Sequence, residues 1–217
     1  MFIGHNAVGF ATKRVAPRVS LGWLMAAPMF LDLIWPILLL LGIEHVSIRS
    51  APATKFETLN FTDYPWSHSL LGACVLGALF AAVYWLKARD GRTAVVLFAG
   101  VVSHWVLDFF THLPDLPLYP GGPKVGLGLW KSVPGTVVIE VALYVIGIAI
   151  YLRATRSCDR IGSIALWAFV IFLGLIYAAS LFGPPPGNTR DIAWVTLSMW
   201  LFPFWAAWFD RHREVRS

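Results

Sequence analysis

Thr93-Ala-Val-Val-Leu-Phe-Ala-Gly-Val-Val-Ser-His-Trp-Val-Leu-Asp-Phe-Phe-Thr-His-Leu113 is apolar over the about 20 residues that a helix needs to cross a bilayer. The same stretch carries His104, Asp108 and His112 at i, i+4 and i+8, so all three project from roughly one face of that helix. An ionisable group at mid-bilayer costs at least ~2.5 kcal/mol on insertion scales, so three on one stripe need a shared partner. A metal ion serves all three at once.

Similar runs recur along the chain. Of 217 residues, 58% are hydrophobic, 15% aromatic and 13% charged, a balance far too apolar for a soluble domain of this size. Membrane-length runs lie near residues 20–43, 67–86, 93–113, 134–152, 161–182 and 191–209. The expected fold is all-α, a polytopic membrane helix bundle of about six transmembrane helices forming a single domain over residues 1–217. Neither an internal repeat nor a low-complexity tract interrupts it.

Lys and Arg set the orientation. Lys13, Arg14 and Arg18, then Lys87, Arg89 and Arg92, then Arg153, Arg156 and Arg160, and finally Arg211, Arg213 and Arg216 fall on one side of the expected membrane. The other side holds only Arg49, Lys55, Lys124, Lys131 and Arg190. This positive-inside bias and an even span count put both termini in the cytoplasm. The net charge of +5 is then topological, and no basic stripe with interleaved aromatics points to nucleic acid. Trp66, Trp85, Trp130, Trp194 and Trp208, near span ends, fit interfacial belts.

Cys74 falls within the second span and Cys158 in the fourth connection, too far apart in depth to pair; Cys74, Met25 and Met29 read as packing residues. The first apolar run exceeds a signal-peptide core and contains Pro28, Asp32 and Pro36, so a retained helix is expected, with a cleaved leader ending near Ser50, Ala51 and Ala53 as the other reading. Two connections on the outer side, 44–66 and 113–133, are long enough to cover the bundle mouth. The second, with Pro114, Pro117 and Pro120-Gly-Gly-Pro123, cannot be regular helix and is expected to form a lid or wall. Gly183-Pro-Pro-Pro-Gly187 reads as a rigid turn. Residues 1–11 are mostly apolar yet contain His5 and Asn6, and the chain meets water only at Lys13 and Arg14. A half-helix dipping into the membrane and turning at Pro17 explains this; a surface amphipathic helix explains it equally.

Depth brings the polar groups together. At 1.5 Å rise per residue, Asp32 lies ~18 Å up the first span, and His104 and Asp108 lie ~16 and ~22 Å up the third. A half-helix would raise His5 ~12 Å above Lys13, within reach of that level. His68, opening the second span, fits worst by depth unless that end dips inward. Glu140 sits ~9 Å from the outer end of the fourth span, as a further ligand, proton carrier or partner of a ligand. Glu44 and His45 are expected to cap the first span near water. His112, at the rim, reads as ligand, general acid or solvated residue, and Asp108 could instead orient His104. Imidazoles with carboxylates suit zinc, manganese or iron, and two such ions can clamp the oxygens of a phosphoester displacement.

Phe2-Ile-Gly-His5, Phe30-Leu-Asp32-Leu-Ile-Trp-Pro36, Ser67-His68-Ser-Leu-Leu and Ser103-His-x-x-x-Asp108 together resemble a family of bacterial inner-membrane metal-dependent hydrolases. One of its members is a membrane protein regulated by the SOS repressor LexA. The resemblance covers the first half of the chain. That family is in turn similar to the zinc-dependent phospholipase C and nuclease class. The resemblance implies metal ligation by His5, Asp32, His68, His104 and Asp108, with an aspartate bridging one or two divalent ions, zinc foremost. Beside that set, His112 and Glu140 are the candidate catalytic residues, and the expected substrate is an amphiphilic phosphoester or membrane lipid. Two departures limit it: no second His-x-x-x-Glu pair follows His112, which removes a third metal site, and an initiator Met1 does not supply the terminal amine ligand that the soluble enzymes gain by processing.

Two other classes remain open on the same residues. A proton- or ion-coupled transporter of small solutes would relay protons through these groups, although inverted repeats are lacking and the spans are few. A non-enzymatic scaffold or haem protein would use His104 and a second histidine as axial ligands. No His-Glu-x-x-His, Gly-x-Ser-x-Gly or Gly-rich phosphate loop occurs.

Overall fold

A computed structural model describes residues 1–184 and 186–216 and contains six helices long and apolar enough to cross a membrane. They are α2 (Leu21–Leu40), α4 (Leu70–Ala88), α5 (Gly91–Thr111), α6 (Val133–Ala154), α7 (Arg160–Phe182) and the composite Thr189–Asp210. Before them comes α1 (Ile3–Thr12), and a single turn, α3 (Pro65–His68), precedes α4. Each span starts at a residue whose side chain accepts an otherwise orphaned amide of the first turn, as Ser20, Ser69, Asp90, Ser132, Asp159 and Asn188 do. The expected Gly183–Gly187 turn includes Pro185, which lies outside the described residues.

The sixth span is not continuous. It divides into α8 (Thr189–Leu197), a 3-10 turn at Ser198–Trp200 and α9 (Leu201–Asp210). Pro203 has no amide to offer the carbonyl of Met199, and the Ser198 hydroxyl takes the Val195 carbonyl, so the regular ladder lapses there.

Helix α1 is a half-helix inside the bundle, packed on α6, α2 and α5, and a surface helix is ruled out by the complete burial of His5, Asn6 and Phe10. Its approach to α6 is backbone-close: a Cβ at Gly147 would stand 2.5 Å from the carbonyl oxygen of Ala7. Lys13 corrects the sequence reading. Only 5% exposed, it donates to Asp210 Oδ2 at 2.7 Å and to the Val19 carbonyl at 2.8 Å instead of meeting water. Asp210 also accepts from the Leu21 amide and the Tyr151 hydroxyl, tying α1, α2, α6 and α9 together at the basic end. Nearby, β5 (Thr155–Ser157) pairs antiparallel with β6 (Arg213–Val215).

At the opposite end the two long connections cover the bundle mouth. The first forms an antiparallel hairpin of β1 (His45–Ile48) and β2 (Leu59–Asp63) around a 3-10 turn at Lys55–Glu57. The second forms β3 (Leu116–Pro117) with β4 (Lys124–Val125), then a 3-10 turn at Leu129–Lys131. The Thr54 hydroxyl donates to the Trp130 carbonyl at 2.7 Å and joins the two covers.

Candidate metal centre

Asp32 sits on α2 between two prolines, which lack the amides that would bond the carbonyls of Leu24 and Asp32. One turn below it, the Pro28 carbonyl accepts Nδ1–H of His104 at 2.7 Å. That bond assigns the proton of His104 to Nδ1 and turns Nε2 toward Asp108 Oδ2 at 3.1 Å and Asp32 Oδ1 at 3.8 Å. His5, carried in by α1, stacks on His104 with ring centroids 3.8 Å apart and planes within 8°. Its Nε2 lies 3.1 Å from Asp108 Oδ1.

His68 reaches the same level. Helix α3 ends at Ser69, whose extended backbone lets α3 fold inward before α4 begins. His68 Nε2 then lies 3.4 Å from Asp32 Oδ1. The side chain that aims it is Glu44, which corrects the expectation of a solvated cap. Glu44 is fully buried; Oε1 accepts the amides of Trp66 and Ser67 at 2.7 and 2.8 Å, and Oε2 accepts the Ser67 hydroxyl at 2.6 Å. With its proton given to Glu44, Ser67 Oγ accepts from His68 Nδ1 at 2.7 Å, which turns Nε2 of His68 toward Asp32.

His104 and His68 thus each use Nδ1 for a fixed hydrogen bond and turn Nε2 toward a carboxylate oxygen. A proton on Nε2 or a cation between the groups makes such a facing pair favourable, and His104 Nε2 has no hydrogen-bond partner among the described residues. Two donor sets are close enough to share an ion: His5, Asp32 and His104, and His68, His104 and Asp108, with ligand atoms within 4.8 Å of one another in each. Mixed imidazole and carboxylate donors are the chemistry of zinc, manganese and iron sites. The Met1 amine lies in the site as well, 2.7 Å from Asp108 Oδ1, where it offsets the carboxylate charge.

His112 and Glu140 stand beside these sets and join neither. His112 Nε2 is 3.8 Å from Asp108 Oδ2, while Nδ1 lies 3.0 Å from Asp115 Oδ1, with the Tyr64 hydroxyl donating to the same oxygen at 3.2 Å. Burial lowers the His112 pKa from its ordinary value, against the pull of Asp115, and raises that of Tyr64. Glu140 Oε2 accepts the amides of Phe2 and Gly4 at 2.8 and 3.3 Å, capping α1 from α6. His45 is exposed, 3.8 Å from Asp63.

A cavity of about 350 Å³ opens onto the cluster. Asp32, His68, Asp108 and His112 line its polar side, and aromatic side chains such as Trp35 and Trp130 line the rest.

Two signals could have found Glu44 in the sequence. It is the acidic residue immediately after the first span, and Pro65 opens a helix 21 positions later whose amides need an acceptor.

No curated protein and no solved structure matches the chain. Residues 65–184, however, match the family model described as YdjM inner membrane protein. The matched segment runs from α3 through α7 and holds His68, His104, Asp108, His112 and Glu140; His5 and Asp32 precede it. Because the match covers more than half of the chain and the structure has six membrane-length helices, this is a multi-pass member of the YdjM inner membrane protein family.

Proposed function

We propose that the chain is a metal-dependent hydrolase of phosphoesters borne by membrane amphiphiles. The observation that carries this reading is the convergence of Nε2 of His68 and His104 on the carboxylates of Asp32 and Asp108 in a buried setting, an arrangement that a shared cation stabilises. His5, Asp32, His68, His104 and Asp108 would hold one or two divalent ions, zinc foremost, with manganese or iron suited to the same donors. Such an ion supplies Lewis acidity toward a phosphoryl oxygen and makes water a stronger acid.

The protein's own groups do the rest. Glu44 and Ser67 fix the ring of His68, and the Pro28 carbonyl fixes that of His104. His112, steadied at Nδ1 by Asp115, exchanges a proton at Nε2 with the leaving oxygen. Glu140 holds the first turn of α1 in place and offers its carboxylate to the cavity as a proton carrier. The chain works as one domain with both termini in the cytoplasm and its covered mouth on the opposite side.

Elemental analysis of detergent-purified protein tests the reading, paired with a phosphoesterase assay and a double variant, Asp32→Asn with His104→Ala. One or two equivalents of zinc, manganese or iron in the wild type, lost together with activity in the variant, is the expected result. Metal-free protein that cannot be loaded by dialysis against these ions overturns it.

A further inference from the structure

Helix α1 stops halfway, and its shortness shapes the side of the bundle above it. Helices α6 and α7 follow each other in sequence yet pack mainly on other partners: α6 lies chiefly on α1, and α7 chiefly on α9. At mid-height the Tyr144 hydroxyl of α6 donates to the Val170 carbonyl of α7 at 3.1 Å. Above that bond, Glu140 of α6 and Tyr177 of α7 line the cavity from opposite sides. Over the top runs the Lys55–Glu57 turn, tied to the α7 end by Lys55 Nζ on the Gly183 carbonyl at 3.3 Å and to the α6 side by Thr54 on Trp130. The result is a window in the wall of the bundle, with Phe2 at its sill.

This window faces lipid. Val138 and Val141 on α6 and Leu175 on α7 are exposed on membrane-crossing helices to either side of it. Behind it the cavity is walled by Phe56, Phe61, Trp35 and Trp130, and Lys55 is the one Lys or Arg among the described residues that line it. A volume of about 350 Å³ is near the lower end of ligand pockets, about 300–1,000 Å³, so it accepts a headgroup but leaves long acyl chains outside.

We propose that the gap between α6 and α7 is a side entrance for an anionic lipid, whose phosphate passes beneath Lys55 to the buried cluster while its acyl chains stay in the bilayer. The fate of that phosphate rests on the hydrolase reading; the binding does not.

Wild-type protein reconstituted in vesicles of phosphatidylcholine and phosphatidic acid, the latter carrying a diazirine on its acyl chain, tests the entrance by photolabelling. Adducts should concentrate on residues 133–141 and 173–182 and fall several-fold in Ser180→Trp, which enlarges a cavity-lining residue of α7, and in Lys55→Glu, which reverses the charge there. Adducts spread evenly over all lipid-facing helices overturn the proposal. In turnover assays, Ser180→Trp should slow long-chain phosphatidic acid at least tenfold and spare water-soluble phenyl phosphate; equal loss on both overturns it. Absence of turnover with either substrate, beside labelling concentrated at the window, would sink the hydrolase reading and leave the entrance standing.

Discussion

The Glu44 carboxylate and the Ser67 hydroxyl meet at 2.6 Å, and through this contact a residue at the end of the first span controls the ring of His68. Removing Ser67 Oγ frees that ring without touching any ligand atom. Ser67→Ala should therefore weaken metal binding by about 10–100-fold, the usual effect of losing a ligand's supporting bond. Metal titration of the purified variant measures this, and wild-type affinity would show that Glu44 serves only to cap α3.

The contact between Gly147 and Ala7 predicts a stability effect. An added methyl would meet backbone atoms at 2.5 to 2.9 Å, which cannot rotate away. Gly147→Ala should cost about 1–3 kcal/mol and displace α1 from α6. Thermal unfolding in detergent reads the loss, and increased accessibility of a cysteine placed at Ala7 reads the displacement.

Lys13 and Asp210 form an ion pair with both side chains 7% exposed. Breaking it from one side leaves a buried charge unpaired, so Lys13→Met should destabilise by about 3–5 kcal/mol. Adding Asp210→Leu to Lys13→Met should restore part of that loss, because the stranded carboxylate goes with it. A thermal-unfolding comparison of the single and double variants checks the sign.

Asp159 gives a pH dependence. The amide of Gly162 and then the ring of His212 hold its carboxyl below the ordinary 3.8. A folded-state value below the unfolded one means that the contribution is complete above the unfolded value and is lost as pH falls through the folded one. As the pH falls below the ordinary 3.8, the join between the start of α7 and the C-terminal strand should loosen in the wild type, and Asp159→Asn should remove most of that dependence. Limited proteolysis of the C-terminal tail across this range measures it.

Much of this was legible in the sequence because a bilayer imposes simple rules. Spans follow from apolar length, and the depths of Asp32, His104 and Asp108 follow from the rise per residue. The half-helix is one of two equal readings of the apolar segment that contains His5, and only the packing of α1 on α6, α2 and α5 chooses between them. Tertiary folding supplied what was hidden. His68 reaches the cluster only because the chain breaks at Ser69, and Glu44 is buried only because the amides of α3 return to it from across a loop. Lys13 looked solvated because its partner is Asp210, near the far end of the chain. Ser198 and Pro203 carried a readable signal for the break in the last span, masked by the uniform apolarity around them.

The partnership of α1 with α6 also bears on how the protein is made. A ribosome releases the first dozen residues long before Val133–Ala154 has been translated. Until then α2 and α5 are the walls that can receive the early segment, and its seat is closed only once α6 has been inserted. The arrival of the His5 ring at its final place against His104 is thereby left to a late stage of assembly.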